Sequence, residues 1–158
     1  MRDDQEIIDN KYPVLQEHDR MKLPELVNKI AANRNYMIID DSDDNWDVQK
    51  KSKLIESFIA NFPVPPIVVS ETVYHNKYKV IDGKQRIKTI VDYLKNRFPL
   101  TGLEFMTQLN GYTYDNLPAN IERILTRRNL SVINILFDNN PTPEQIAKLL
   151  DIVAERYR

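Results

Sequence analysis

Apolar side chains recur every three or four residues in five stretches of the chain, which is the spacing of an amphipathic helix. The last stretch is the best specified, because Thr142 precedes Pro143 and Gln145 completes a capping box with Thr142. Asp47 is placed to cap an earlier helix. The pattern predicts helices over residues 23–30, 48–61, 84–96 and 118–127, and one that begins at Pro143.

Short runs of β-branched and apolar residues predict four strands, over residues 36–39, 67–69, 78–81 and 132–137. The second and third strands flank a turn-forming segment at residues 75–77, so they predict a β-hairpin. A hairpin argues against a simple doubly wound parallel sheet. The expected fold class is therefore α+β, a small mixed sheet with a β-hairpin, packed by several helices.

A chain of 158 residues is long enough for one domain with a buried core. We assign residues 22–158 to that domain and residues 1–21 to an acidic N-terminal arm.

The absence of cysteine excludes a disulfide scaffold, a thiolate zinc site and a cysteine nucleophile. No apolar stretch has the length of a membrane span, and the N-terminus is too polar for a signal peptide. We expect a cytoplasmic protein without a membrane partner.

The net charge of −1 conceals an uneven distribution. Residues 1–47, which end in an acidic loop over residues 40–45, hold twelve acidic and six basic side chains. Residues 48–158 hold eleven acidic and sixteen basic ones. A basic body can attract phosphates or nucleic acid, but two solvated charged faces explain the same numbers.

The densest group of polar side chains lies where a predicted strand meets a predicted helix. The strand ends at Asp82, Gly83 permits a tight turn, and the helix begins at once, so its N-terminal amides and positive dipole end converge there. Lys84 and Arg86 add positive charge, Asp82 can hold Mg²⁺ or a ribose hydroxyl, and Gln85 can orient a water molecule. The junction suits a phosphate-bearing ligand; the alternative is an ordinary turn with Asp82 as the helix cap.

Four residues outside the junction are weaker candidates for ligand or DNA contacts. Asn45 and Trp46 precede a predicted helix, and the indole of Trp46 can stack on a base, although a tryptophan is more often a core anchor. Arg127 and Arg128 end another helix, where they can contact nucleic-acid phosphates or simply lie in solvent.

Residues 80–90 resemble the DGQQR-containing motif in the N-terminal domain of GmrSD-type modification-dependent (type IV) restriction enzymes. That family belongs to the wider ParB/sulfiredoxin-like fold. Similar segments precede and follow the motif in the family's order, so the resemblance covers about residues 22 to 158. These segments are residues 46–47, 52–57, 63–67, 98–103, 109–111, 114–118 and, weakly, 152–157.

The resemblance implies that the motif binds a nucleoside triphosphate with Mg²⁺, often hydrolyses it, and so licenses cleavage of modified DNA in defence against phage. DNA and a separate nuclease or effector protein are then candidate partners. Asp82, Gln85 and Arg86 are the candidate catalytic residues, and Asp82 is the candidate Mg²⁺ ligand. The nucleotide-binding set is Asp82, Gly83, Lys84, Gln85, Arg86 and Thr89.

The chain departs from the family pattern at three points. Lys84 stands where glutamine is usual, and the Gln-Arg pair expected shortly before Trp46 is missing. His18 and His75 are the only histidines, and neither lies in a nuclease metal pattern, so we do not expect this chain to cut DNA by itself. The second hypothesis is therefore a non-catalytic DNA- or protein-binding regulatory module whose nucleotide site has decayed.

Overall fold

The structure, a computed structural model, describes residues 14–33, 36–38, 45–71, 77–137 and 142–156. These residues form a mixed sheet and five α-helices, so the predicted α+β class is confirmed. The strands are β1 (Val14–Lys22), β2 (Met37–Ile38), β3 (Ile67–Glu71), β4 (Tyr78–Asp82) and β5 (Asn129–Phe137). The helices are α1 (Leu23–Ala32), α2 (Val48–Ala60), α3 (Lys84–Leu94), α4 (Ala119–Thr126) and α5 (Pro143–Glu155).

The sheet has the strand order β1-β5-β3-β4-β2. Its central pair, β5 and β3, is parallel, with Val69 opposite Asn134. The predicted hairpin is confirmed, because β3 and β4 are antiparallel; their register shifts between Val68 and Val69. Strand β2 runs parallel to β4 at one edge, and β1 runs antiparallel to β5 at the other.

The main core lies between one face of the sheet and helices α1 to α4. Ile67 and Val69 of β3 and Leu130 and Val132 of β5 alternate onto this face, as the two-residue period of a strand requires. Helix α3 packs against both α1 and α2 and buries Ile87 fully in the same core. The sheet and these helices thereby fix the position of the β4–α3 junction.

The helix caps follow the predicted chemistry. The Asp47 carboxylate accepts a hydrogen bond from the Lys50 amide over 2.8 Å at the start of α2. Thr142 and Gln145 form the predicted capping box, and Pro143 opens α5. Both helix starts are therefore confirmed.

Strand β1 is a feature that the sequence analysis did not predict. It occupies residues 14–22, most of which the sequence pattern assigns to the acidic arm, and pairs with β5 along its whole length, from Val14 opposite Phe137 to Lys22 opposite Asn129. Most of its side chains are exposed, so it lacks the apolar alternation that marks a half-buried strand.

Three predicted features lie partly outside the described residues. They are the acidic arm over residues 1–13, the acidic loop over residues 40–44, and the hairpin turn over residues 72–76. Within the described residues, none of the helices combines the length and the apolar character that a bilayer crossing requires.

Candidate functional site

Gly83 forms the turn between β4 and α3 and is required there for two reasons. Its φ angle is +106°, a left-handed conformation that side chains with a Cβ disfavour. A Cβ built on Gly83 would also lie 2.5 Å from Cγ2 of Ile67, the first residue of β3. The missing side chain thus lets the start of α3 approach the adjacent strand.

No side chain among the described residues caps the N-terminus of α3. Its first intrahelical hydrogen bond runs from the Ile87 amide to the Gly83 carbonyl over 3.1 Å, and no acidic residue occupies the first turn. Lys84 and Arg86 lie in that turn instead, so their charges add to the positive end of the helix dipole. This arrangement favours an anionic ligand at the start of α3.

Arg86 ties the junction to the neighbouring strand. Its Nη2 donates to Asp82 Oδ2 over 3.1 Å and to the Pro66 carbonyl over 3.0 Å. The Arg86 side chain is only 14% exposed, and its Nε is buried and has no hydrogen-bond partner among the residues that the structure describes. Arg86 therefore has both a positioning contact and a buried N–H that an acceptor could still satisfy.

The segment just before α2 also contacts α3. The Trp46 amide donates to Gln85 Oε1 over 3.2 Å, and Lys88 Nζ donates to Asn45 Oδ1 over 3.4 Å. Lys50 Nζ lies 4.7 Å from the centre of the Trp46 ring, a cation–π distance. The structure thus brings Asn45 and Trp46 together with Gln85, which no local sequence pattern required.

Thr89 and Arg128 have structural contacts of their own. Thr89 is fully buried, and its hydroxyl donates to the Gln85 carbonyl over 2.8 Å. Arg128 donates from Nε to the Phe58 carbonyl over 2.7 Å and from Nη2 to the Ile59 carbonyl over 3.2 Å. These contacts lie at the C-terminal end of α2, roughly 18 Å along the helix from Trp46 at 1.5 Å per residue. Arg127, its exposed neighbour, stays a candidate surface contact.

The sequence analysis did not identify the residues of the site that are distant from the junction along the chain. The Pro66 carbonyl and the Ile67 side chain come from the start of β3, and no motif marks either of them. Lys88 could have been found, since it follows Lys84 by one helical turn and so shares its face.

A metal at the junction would have few protein ligands. Within the described parts of the chain, no group of three His, Cys, Asp or Glu side chains is placed to hold a metal ion. The Asp82 carboxylate is 27% exposed and is paired with Arg86. One accessible carboxylate fits Mg²⁺, which commonly takes one or two carboxylates and completes its coordination with phosphate oxygens and water.

A known protein family matches most of the chain. The sequence model described as the GmrSD restriction endonuclease, N-terminal domain, matches residues 23–156. No curated protein and no solved structure shows significant similarity to the chain. The family match covers the sheet from β2 onward, all five helices and the β4–α3 junction.

Proposed function

Because the chain belongs to the family of the GmrSD restriction endonuclease N-terminal domain, we propose that its β4–α3 junction binds a nucleoside triphosphate with Mg²⁺. Membership of this family relates the domain to DNA restriction. The nucleotide site is our proposal from the geometry of the junction. We further propose that the domain acts in the cytoplasm, where nucleotide binding would regulate a nuclease or another effector that acts on DNA.

The buried Nε of Arg86 carries this proposal. A buried donor without a partner costs about 1–3 kcal/mol, and a charged donor costs more. A phosphate oxygen at the uncapped start of α3 would accept from this Nε and from the first-turn amides together. Lys84 at the first helical position would add a further positive charge to the same phosphate group.

The remaining side chains have distinct proposed tasks. Asp82 would hold Mg²⁺ or a ribose hydroxyl, while its contact with Arg86 fixes the guanidinium. Bound Mg²⁺ would neutralise charge on the phosphates. Gln85 would orient an attacking water molecule if the triphosphate is hydrolysed, and its hydrogen bond with the Trp46 amide would set the position of its side chain.

Isothermal titration calorimetry with GTP, ATP, CTP and UTP in the presence of Mg²⁺ tests the proposal. We expect one nucleotide to bind, and Lys84→Ala to weaken that binding at least tenfold. Lys95→Ala is the matched control, because Lys95 is exposed at the opposite end of α3, and it should change affinity less than twofold. If no nucleotide binds, or if Lys84→Ala binds as tightly as the unaltered protein, the proposal is wrong.

A second function follows from the Asp82–Arg86 ion pair. Asp82 already pairs with the Arg86 guanidinium. A domain that has lost nucleotide binding would therefore keep this ion pair for its structural role alone. The domain would then be a DNA- or protein-binding module that responds to no nucleotide. DNA affinity that falls steeply with salt and does not change on adding nucleotide would favour this alternative.

A further inference from the structure

A cavity of about 70 Å³ opens on the helix-covered face of the sheet, near the edge formed by β1. Its lining includes Val69 and Val132 of the central strands and the aromatic side chains of Tyr36 and Tyr78. Tyr78 begins β4 and Asp82 ends it, roughly 13 Å apart at 3.3 Å per residue, and residues 82–86 of the junction are not among those that line the cavity. It is therefore separate from the proposed nucleotide site and independent of that proposal.

Asn134 is the polar group that makes this cavity unusual. It lies in β5, between β3 and β1, opposite Val69 on one side and Glu17 on the other, and is only 8% exposed. Its side-chain oxygen, Oδ1, is buried, and no group in the described part of the chain hydrogen-bonds with it. A buried acceptor in a cavity lining indicates a site where a molecule with an N–H or O–H donor can bind.

The cavity also has an acidic rim. Glu17 and Asp19 line it and share a sheet face, because residues two apart on a strand point the same way. Arg20 contributes to the lining as well, but strand alternation places its side chain on the opposite face. The two carboxylates therefore favour a positively charged ligand at the mouth.

The two tyrosines complete the cavity wall as neutral aromatic groups. Their ring centres lie 5.5 Å apart in an edge-to-face arrangement. Burial raises the pKa of Tyr36, and burial together with the negative charge of Glu71 raises the pKa of Tyr78, so both phenols stay protonated at neutral pH. Lys29 Nζ already lies 5.6 Å from the centre of the Tyr36 ring, which shows that this ring can face a cation.

We propose that this cavity binds a small primary alkylammonium ion. Its N–H would donate to Asn134 Oδ1, its charge would face Glu17 and Asp19, and its alkyl chain would lie against Val69 and Val132. A volume of this size holds roughly five water molecules at 10–15 Å³ each, so the ligand has about four or five heavy atoms. Butylammonium matches that size and serves as the probe.

Calorimetry with butylammonium, n-butanol and butyrate tests charge and shape together. We expect butylammonium to bind at least tenfold more tightly than butanol, and butyrate not to bind. Asn134→Leu removes the acceptor at nearly constant volume and should weaken butylammonium binding at least tenfold. Asn129→Leu, at the exposed start of the same strand, is the matched control and should leave binding unchanged.

Glu17→Gln keeps the test decisive if Asn134→Leu does not fold. Glu17 is exposed, so this substitution should preserve the fold and weaken butylammonium binding about threefold or more. Equal binding of butanol and butylammonium would show an apolar cavity without cation recognition and would overturn the proposal. Absence of any binding, or binding insensitive to Glu17→Gln, would also overturn it.

Discussion

Two constraints act on Gly83, and they can be separated experimentally. One is its left-handed backbone, and the other is the close approach of the Ile67 side chain. Gly111 has a similar φ angle, +92°, but a Cβ built there would meet no heavy atom of the described residues within 4 Å. A substitution at Gly111 therefore measures the cost of the left-handed backbone alone, which both glycines share.

We predict that Gly83→Ala lowers the free energy of unfolding by about 3 kcal/mol, through backbone strain and overpacking against Ile67. Gly111→Ala should lower it by only about 1 kcal/mol, through backbone strain alone. Urea denaturation of both variants measures the difference. Equal losses in the two variants would mean that the approach of Ile67 does not restrict position 83.

At the scale of elements, Arg128 joins two parts of the chain that are distant in sequence. Its guanidinium hydrogen-bonds with two carbonyls in the last turn of α2, a region where helices lack intrahelical donors. The positive charge also complements the negative end of the α2 dipole. Arg128 thereby attaches α2 to the start of β5.

We predict that Arg128→Ala lowers the free energy of unfolding by about 2 kcal/mol, because it removes two hydrogen bonds from a charged donor. Arg127→Ala should change it by less than about 0.5 kcal/mol, since Arg127 is exposed. Thermal or urea denaturation compares the two variants. A large loss for Arg127→Ala, or none for Arg128→Ala, would contradict this assignment.

The elements with local signals were predictable from sequence. The capping box of Thr142 and Gln145 and the Asp47 cap each lie within four residues of the turn they stabilise. Strand β1 was missed because its partner is distant along the chain and its side chains are mostly exposed, so neither pairing nor burial leaves a local pattern. Short 3-10 helices at Thr107–Leu109 and Tyr114–Asn116 were missed as well.

The candidate site also has some features that the sequence could predict and others that it could not. The strand–glycine–helix order and the spacing of Asp82 and Arg86, one helical turn apart, were visible in the sequence. The contact of Arg86 with the Pro66 carbonyl and that of Gln85 with the Trp46 amide depend on how β3 and the start of α2 pack on α3. Such contacts need tertiary structure and could not be predicted from local spacing.

At the scale of the whole molecule, Tyr93 links α3 to the irregular segment that follows it. The Tyr93 ring lies 5.3 Å from that of Phe98 and 6.2 Å from that of Tyr114, measured between ring centres. Its hydroxyl donates to the Tyr112 carbonyl over 3.2 Å. Burial raises the pKa of Tyr93, because ionisation would place a charge inside the core.

We predict that Tyr93 contributes to a loss of stability in alkaline solution. Its pKa is higher in the folded than in the unfolded protein, so its contribution is fully present below about pH 10 and declines as the pH rises toward the folded value. Tyr93→Phe should make the alkaline decline shallower by up to about 1.4 kcal/mol per pH unit. Urea denaturation between pH 8 and pH 11 (roughly the range that spans an ordinary tyrosine pKa) measures the slope, and an unchanged slope would contradict the prediction.

The pairing of β1 with β5 has a consequence for how the chain acquires its fold during translation. The ribosome makes β1 before every other described strand, but among these strands its one neighbour in the sheet is β5, the last of them to emerge. The nascent β1 must therefore remain unpaired while β2, β3 and β4 are synthesised. Most of its side chains are polar or charged and exposed, which reduces the tendency of an unpaired strand to aggregate with other nascent chains.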